Sequence, residues 1–157
     1  MTEIYVDSDG CPVKEEVLKV ASRHGLVAHY VSDRWQRGLD HPLVRKVVVA
    51  QGADAADDWI AERIGPEDIA VTTDIPLAKR CLDRGARVIG PSGRPFTEAS
   101  IGMAMAMRNL KADLREAGTM TGGPPSFSKQ DRSRFLSALE VAVQAARRAR
   151  PVPPPAG

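Results

Sequence analysis

The stretch VRKVVVAQGADAADDWIAERIGPEDIAVTTDIPLAKRCLDRGARVI, Val44–Ile89, decides the fold. The unbroken triplet Val47-Val48-Val49 reads as a buried strand within Val44–Ala50. After Gly52, Ala56, Trp59, Ile60 and Ile64 recur at helical spacing until Gly65-Pro66 stops them. Ile69–Val71 is a short apolar strand. Ile75–Arg84 is then a helix with Leu77, Ala78, Cys81 and Leu82 inward, and Arg87–Ile89 a strand closed by Gly90-Pro91. Such alternation predicts right-handed crossovers and a parallel sheet covered on both faces, with ligands beyond the carboxyl ends of the strands.

The same pattern extends towards the N-terminus. Ile4–Val6 is a strand ending at Asp7, a helix carrying Val13, Val17 and Ala21 on one face opens near Pro12, and Leu26–Val31 follows Gly25 as a second strand. Residues 32–43 form a polar loop with Trp35, Arg34 and Arg37. In the other direction Thr97–Ala117 turns helical, with Ile101, Ala104, Met107 and Leu110 at core spacing and Met103, Met105 and Met107 as core filler. A Gly/Pro/Ser-rich loop, Gly118–Ser128, precedes a last helix, Lys129–Arg148, with Phe135, Leu136, Leu139 and Val143 inward. The expected fold class is α/β: three layers, a mostly parallel central sheet of about five strands flanked by helices, and two C-terminal helices. Residues 1–149 make one domain, and the Pro-rich tail 150–157 cannot pack.

Composition agrees. Hydrophobic residues make up 43% of the chain but aromatics only 4%, so the core must be aliphatic. Cys11 and Cys81 lack C-x-x-C or His-rich company, which argues against a disulfide framework or a zinc site and for a reducing compartment. With no apolar run approaching the ~18 residues of a membrane span, a cytoplasmic protein is expected. The net charge of +2 and the late crowding of Lys and Arg permit nucleic-acid binding without demanding it.

Acidic residues recur in one kind of place: Asp7 and Asp9 after the first strand, Asp54, Asp57 and Asp58 after the Val-rich strand, and Asp74 after Ile69–Val71. If those strands are parallel, all of these acids gather at one edge. Each alone is a favoured helix cap, its oxygen accepting an orphan N–H. Together they repel one another unless their pKa values rise or a cation binds, and an all-oxygen set suits Mg²⁺ or Mn²⁺. Metal held by carboxylates at such an edge serves phosphate chemistry, so phosphodiester cleavage is the leading enzymatic reading. Lys14, Lys79 and Arg80 near the acidic edge, and Lys129, Arg132 and Arg134 beside the Gly-rich loop, are candidate phosphate contacts or simply solvated charges. His24, His29 and His41 are isolated and read as structural. Asp131 fits a capping box with Ser128, and Cys11 as packing beneath the acids, which would raise its pKa.

Five ordered motifs carry a resemblance: VDSDGCPVK (Val6–Lys14), GADAADDWI (Gly52–Ile60), VTTDIPLAKRCLDRGARVI (Val71–Ile89), GRPFTEASI (Gly93–Ile101) and GGPPSFSKQDRSRF (Gly122–Phe135). Across Val6–Leu139 the chain resembles the YaiI/YqxD family of uncharacterised bacterial proteins, classed as PIN-domain-like. Ser8 and Gly10 depart from that family's D-A-D-A-C-P pattern but keep both aspartates and Cys11. The resemblance implies a PIN-like fold and a Mg²⁺- or Mn²⁺-dependent ribonuclease. Its acids would be Asp7, Asp57 or Asp58, and Asp74 preceded by Thr73; Asp9, Asp54 or Asp58 would complete the shell or orient water, and Lys or Arg groups would bind RNA. Two other readings stand beside it. Val6–Gly10 also looks like the V-D-x-D-G opening of haloacid-dehalogenase-type phosphatases, although Cys11 replaces the usual Thr and no G-D-x-x-x-D follows. A non-catalytic RNA-binding module with a structural or vestigial metal site is the third. The sequence leaves the oligomeric state open.

Overall fold

The computed structural model describes residues 2–9, 11–52, 54–103, 106 and 127–148. Six strands form one sheet: β1 (Ile4–Asp7), β2 (Ala28–Ser32), β3 (Val44–Val48), β4 (Ile69–Val71), β5 (Arg87–Ile89) and β6 (Pro95–Phe96), in the order β3-β2-β1-β4-β5-β6. The first five are parallel, as expected for strands separated by crossovers. The sixth is antiparallel to β5, so the sheet is mostly parallel, as expected, with one short strand beyond the five the pattern marks. It is two residues long and starts with Pro95, too short for a period-two pattern to register, and it lies at the edge, where a missing N–H is tolerated.

Helices α1 (Lys14–His24), α2 (Ala55–Arg63) and α3 (Ile75–Asp83) lie between strands, a helix α4 occupies residues 98–103 and 106, and α5 is Lys129–Arg148. The Thr97–Ala117 helix is thus described only in its first part. Met105, Met107, Leu110, the loop's residues 118–126 and the Pro-rich tail lie outside the described residues. Gly25 ends α1 at φ 66°, where its N–H reaches back to Ala21 and Ser22 and a side chain would be strained.

Period-two alternation divides the core. Ile4 and Val6 face a cluster with Val17, Val20 and Ala21 of α1 and with Phe135, Leu139, Val143 and Ala146 of α5. Tyr5 faces the opposite cluster, with Ile60 of α2, Leu77, Ala78 and Cys81 of α3, and Ile101 of α4. The three layers are therefore α1/α5, sheet, and α2/α3. The α5 stripe is spaced for a helix, and a fully buried Phe135 or Leu139 contributes about 1.5–3 kcal/mol. The α5 backbone passes so close to the turn before β6 that a Cβ on Gly93, at φ +88°, would meet the Arg134 carbonyl oxygen at 2.7 Å. Among the described residues, no helix is long and apolar enough to cross a membrane.

One connection between parallel strands has no helix. β2 and β3 are joined by residues 33–43, which turn through Gly38 (φ 82°) and Leu39 (φ 58°). β1 sits between β2 and β4, so the chain leaves it in one direction and later returns to its other side. The loops after β1 and β4 diverge there, opening the crevice where ligands bind in such sheets.

Candidate functional site

Alternation aims the first carboxylate. Tyr5 points towards α2 and α3, so Asp7, two residues on, points the same way at the open end of β1. Val6 pairs with Val71, so the residue after Val71 stands beside Asp7. That residue is Thr72, 2% exposed, whose hydroxyl donates to Asp7 Oδ2 at 2.9 Å and accepts from the Asp74 N–H at 2.9 Å. Asp74 caps α3, its Oδ1 accepting the Leu77 N–H at 2.9 Å, with Pro76 in the first turn. On the other side of Asp7, the Ser32 hydroxyl donates to Asp9 Oδ1 at 2.6 Å.

Each of these carboxylates is thus fixed through one oxygen. Asp7, Asp9, Asp33, Asp57 and Asp74 line a cleft of ≈ 440 Å³ with Gly52, Ala56, Thr73 and Ile75, and among the described residues no Lys or Arg lines it. Burial is the main cause that holds the Asp7 carboxyl above the usual range; the Thr72 hydrogen bond opposes it, and Asp74 and Asp9 add to it. Asp57 is pushed up to about 6, by burial first and then by Asp74, Asp7 and Asp54, with Arg80 opposing. Both are the responses of partly buried acids, reinforced by neighbouring acids. Among the described residues no three His, Cys, Asp or Glu side chains stand in a ready-made ligating arrangement. The donor set is nevertheless all oxygen, matching hard cations such as Mg²⁺ or Mn²⁺.

Of the residues singled out from sequence, Asp7, Asp9, Asp57, Asp74 and Thr73 come together here. Asp54 is exposed at the N-cap of α2 and makes no side-chain cap bond. Asp58, one helical position past Asp57, turns away to bind Arg80 at 2.8 Å. The predicted phosphate contacts scatter. Lys79 pairs with Asp83 at 3.2 Å along α3, and Lys129 is exposed at the start of α5. Arg134 is exposed and 3.7 Å from Asp131. Arg132 donates to the Pro12 carbonyl at 2.7 Å and to Glu16 at 3.0 Å, joining α5 to α1. Lys14 lines a second cleft, next to the first.

The structural readings hold for Asp131 and the histidines. Asp131 accepts from the Ser128 N–H and hydroxyl while its own N–H donates to Ser128 Oγ, a reciprocal capping box that lowers its pKa. His24 bonds Glu140, His29 bonds Glu3, and His41 Nδ1 accepts the Leu43 N–H. Cys11 is raised as expected, but burial rather than the carboxylates is the larger cause.

Sequence reasoning missed Thr72, Ser32 and Asp33. Asp33 follows β2 just as Asp9 and Asp74 follow β1 and β4, so the rule already applied to those strands reaches it. Thr72 lies two residues past Ala70, on the Asp7 face, whereas Thr73 falls on the next step.

The model of a family described as uncharacterised, YaiI/YqxD, matches residues 5–145. A UPF0178 protein of Parvibaculum lavamentivorans is 62% identical over 155 residues, 99% of this chain and all of that one. Similar proteins of the same designation occur in Rhodopseudomonas palustris, strain BisB5 (54% identical; 98% of this chain and 93% of that one), and in Nitrobacter winogradskyi (57%; 93% of each). No solved structure matches the chain at a significant level.

Proposed function

This chain belongs to the YaiI/YqxD family, and for it we propose a divalent-metal-dependent nuclease that hydrolyses phosphodiester bonds in RNA. The observation that carries the reading is the cleft at the sheet's switch point, where five aspartates meet with no Lys or Arg lining it among the described residues. Left alone, such a cluster costs stability; a hard cation relieves it.

Asp7, Asp57 and Asp74 would hold Mg²⁺ or Mn²⁺, which when bound lowers the pKa of water and neutralises charge developing on phosphoryl oxygens. Thr72 ties Asp7 to the start of α3 so that the two loops keep one spacing. Asp9, with Oδ1 occupied by Ser32, offers its second oxygen to a water proton. Asp54 and Asp58 stand outside the cleft lining and are left out of this set.

Calorimetric titration with Mn²⁺ and Mg²⁺ tests the reading, comparing wild type with Asp7→Asn and Asp74→Asn. Both substitutions keep an acceptor for the local hydrogen bond, and Asn caps a helix as well as Asp does. Binding lost in both variants, with circular dichroism unchanged, and RNA cleavage lost with it is the expected result. Cleavage unaltered in Asp7→Asn would sink the assignment. A second reading, a non-catalytic RNA-binding module, rests on the observation that among the described residues no three His, Cys, Asp or Glu side chains stand ready to hold a metal. RNA binding that survives chelation, with no turnover under either metal, would establish that alternative.

A further inference from the structure

We infer that the second cleft, formed where β2 passes into β3 without a helix, is a subsite for single-stranded RNA in which one base stacks on Trp35. It rests on the nuclease reading for its place beside the chemistry, although its binding is independent of metal.

The cleft, ≈ 680 Å³, shares Asp9 and Asp33 with the acidic one, so the two are continuous. Trp35 stands on its wall 70% exposed, an unusual position for an indole in a chain with only two Trp. Its orientation is fixed from beneath. Lys46 Nζ lies 4.8 Å from the ring centroid, its side chain only 10% exposed, and pairs with Asp40 at 3.2 Å. One ring face is therefore covered by a cation and the exposed area belongs to the remainder. This is a rigid platform for a π-face, which any base supplies.

Cations surround it. Lys14, Arg34 and Arg37 line the same cleft, and among the described residues Glu15 is its only lining acid outside the wall shared with the aspartates. Arg34 is 77% exposed and spans towards the first cleft through Asp33, 3.2 Å away. An aromatic plate beside cations for phosphates is the arrangement of single-strand recognition. A duplex, with its bases stacked inward, could not use the plate.

The test is fluorescence anisotropy of the full chain with a labelled single-stranded oligoadenylate RNA in EDTA, where no metal acts. Trp35→Ala should weaken binding about 5- to 150-fold, the worth of one stacked base, and Trp35→Phe should restore most of it. Neither variant should change affinity for an abasic oligomer or for duplex RNA. Wild-type affinity in Trp35→Ala, or an equal loss on the abasic oligomer, overturns the platform. Equal or tighter binding of oligodeoxyadenylate overturns the assignment to RNA. Wild-type protein that takes up no Mn²⁺ yet binds the oligomer through Trp35 supports the platform while the nuclease reading falls.

Discussion

In the cleft at the carboxyl edge five aspartates meet with no Lys or Arg lining it among the described residues, whereas on the seam between α1 and α5 acid and base are matched across the interface. There Glu16 meets Arg132 at 3.0 Å, Glu140 meets Arg23 at 2.8 Å and also His24, and Arg147 reaches His24 Nδ1 at 3.2 Å. Both regions join distant parts of the chain with charged side chains. The seam pairs both of these acids with an opposite charge. In the cleft Asp7, Asp9 and Asp74 are fixed by neutral hydroxyls and a backbone N–H, which orient an acid without neutralising it and so leave it competent to take a cation.

The sharpest way to break this contrast is Thr72→Val, which keeps shape but removes the hydroxyl between Asp7 and Asp74. It leaves a buried carboxylate oxygen and an N–H without their partner, costing about 1–3 kcal/mol of stability in a denaturant melt. As a residue that positions ligands rather than acting as one, its loss should weaken Mn²⁺ binding by about 10–100-fold, with Thr72→Ser recovering most of it. Unchanged metal affinity in a destabilised Thr72→Val would show the hydroxyl to be purely structural.

Arg132→Ala probes the other side. Arg132 is half exposed, but Glu16 is only 14% exposed and already has Oε2 buried without a partner. The variant should lose about 1–2 kcal/mol, a fall in Tm of about 2–4 °C per kcal/mol, with metal and RNA binding unchanged. A selective loss of RNA affinity at wild-type stability would return Arg132 to the role of phosphate contact that its sequence position suggested.

How far the sequence was legible follows the same division. Asp7, Asp9, Asp57 and Asp74 were readable because strand ends and helical spacing are local, and the parallel topology that unites them follows from the strand–helix alternation. Arg132 and Arg134 were left open between phosphate contact and solvated charge because a cation near a Gly-rich loop looks alike in either role, and the partner of Arg132, Glu16, lies 116 residues earlier in the chain. Asp57 and Asp58 differ by one helical step; only the position of Arg80 on α3 decides which of them faces the cleft. Trp35 was visible as a residue, but its exposure depends on Lys46 folding beneath it, and no local pattern records that. β6 is too short to carry a pattern.

Asp57→Asn gives the smallest effect, and its sign separates an uncompensated charge from a structural one. With the native pKa near 6 and an unfolded value near 3.8, the native state holds the proton longer. More protons are then bound to the folded than to the unfolded chain across this window, so this group's contribution to stability falls as pH rises from about 4 to about 6 and stays low above it. Removing the charge should raise Tm at pH 7, by no more than a few degrees for a half-buried group, and leave it unchanged near pH 3.5. Mn²⁺ should narrow the difference at pH 7 by stabilising wild type more than the variant, since the cation relieves in wild type the repulsion the substitution has already lowered. A variant less stable than wild type at pH 7 would mean that Asp57 is neutralised from within, like Glu16 and Glu140 on the seam, and the contrast between the two regions would fail at that residue.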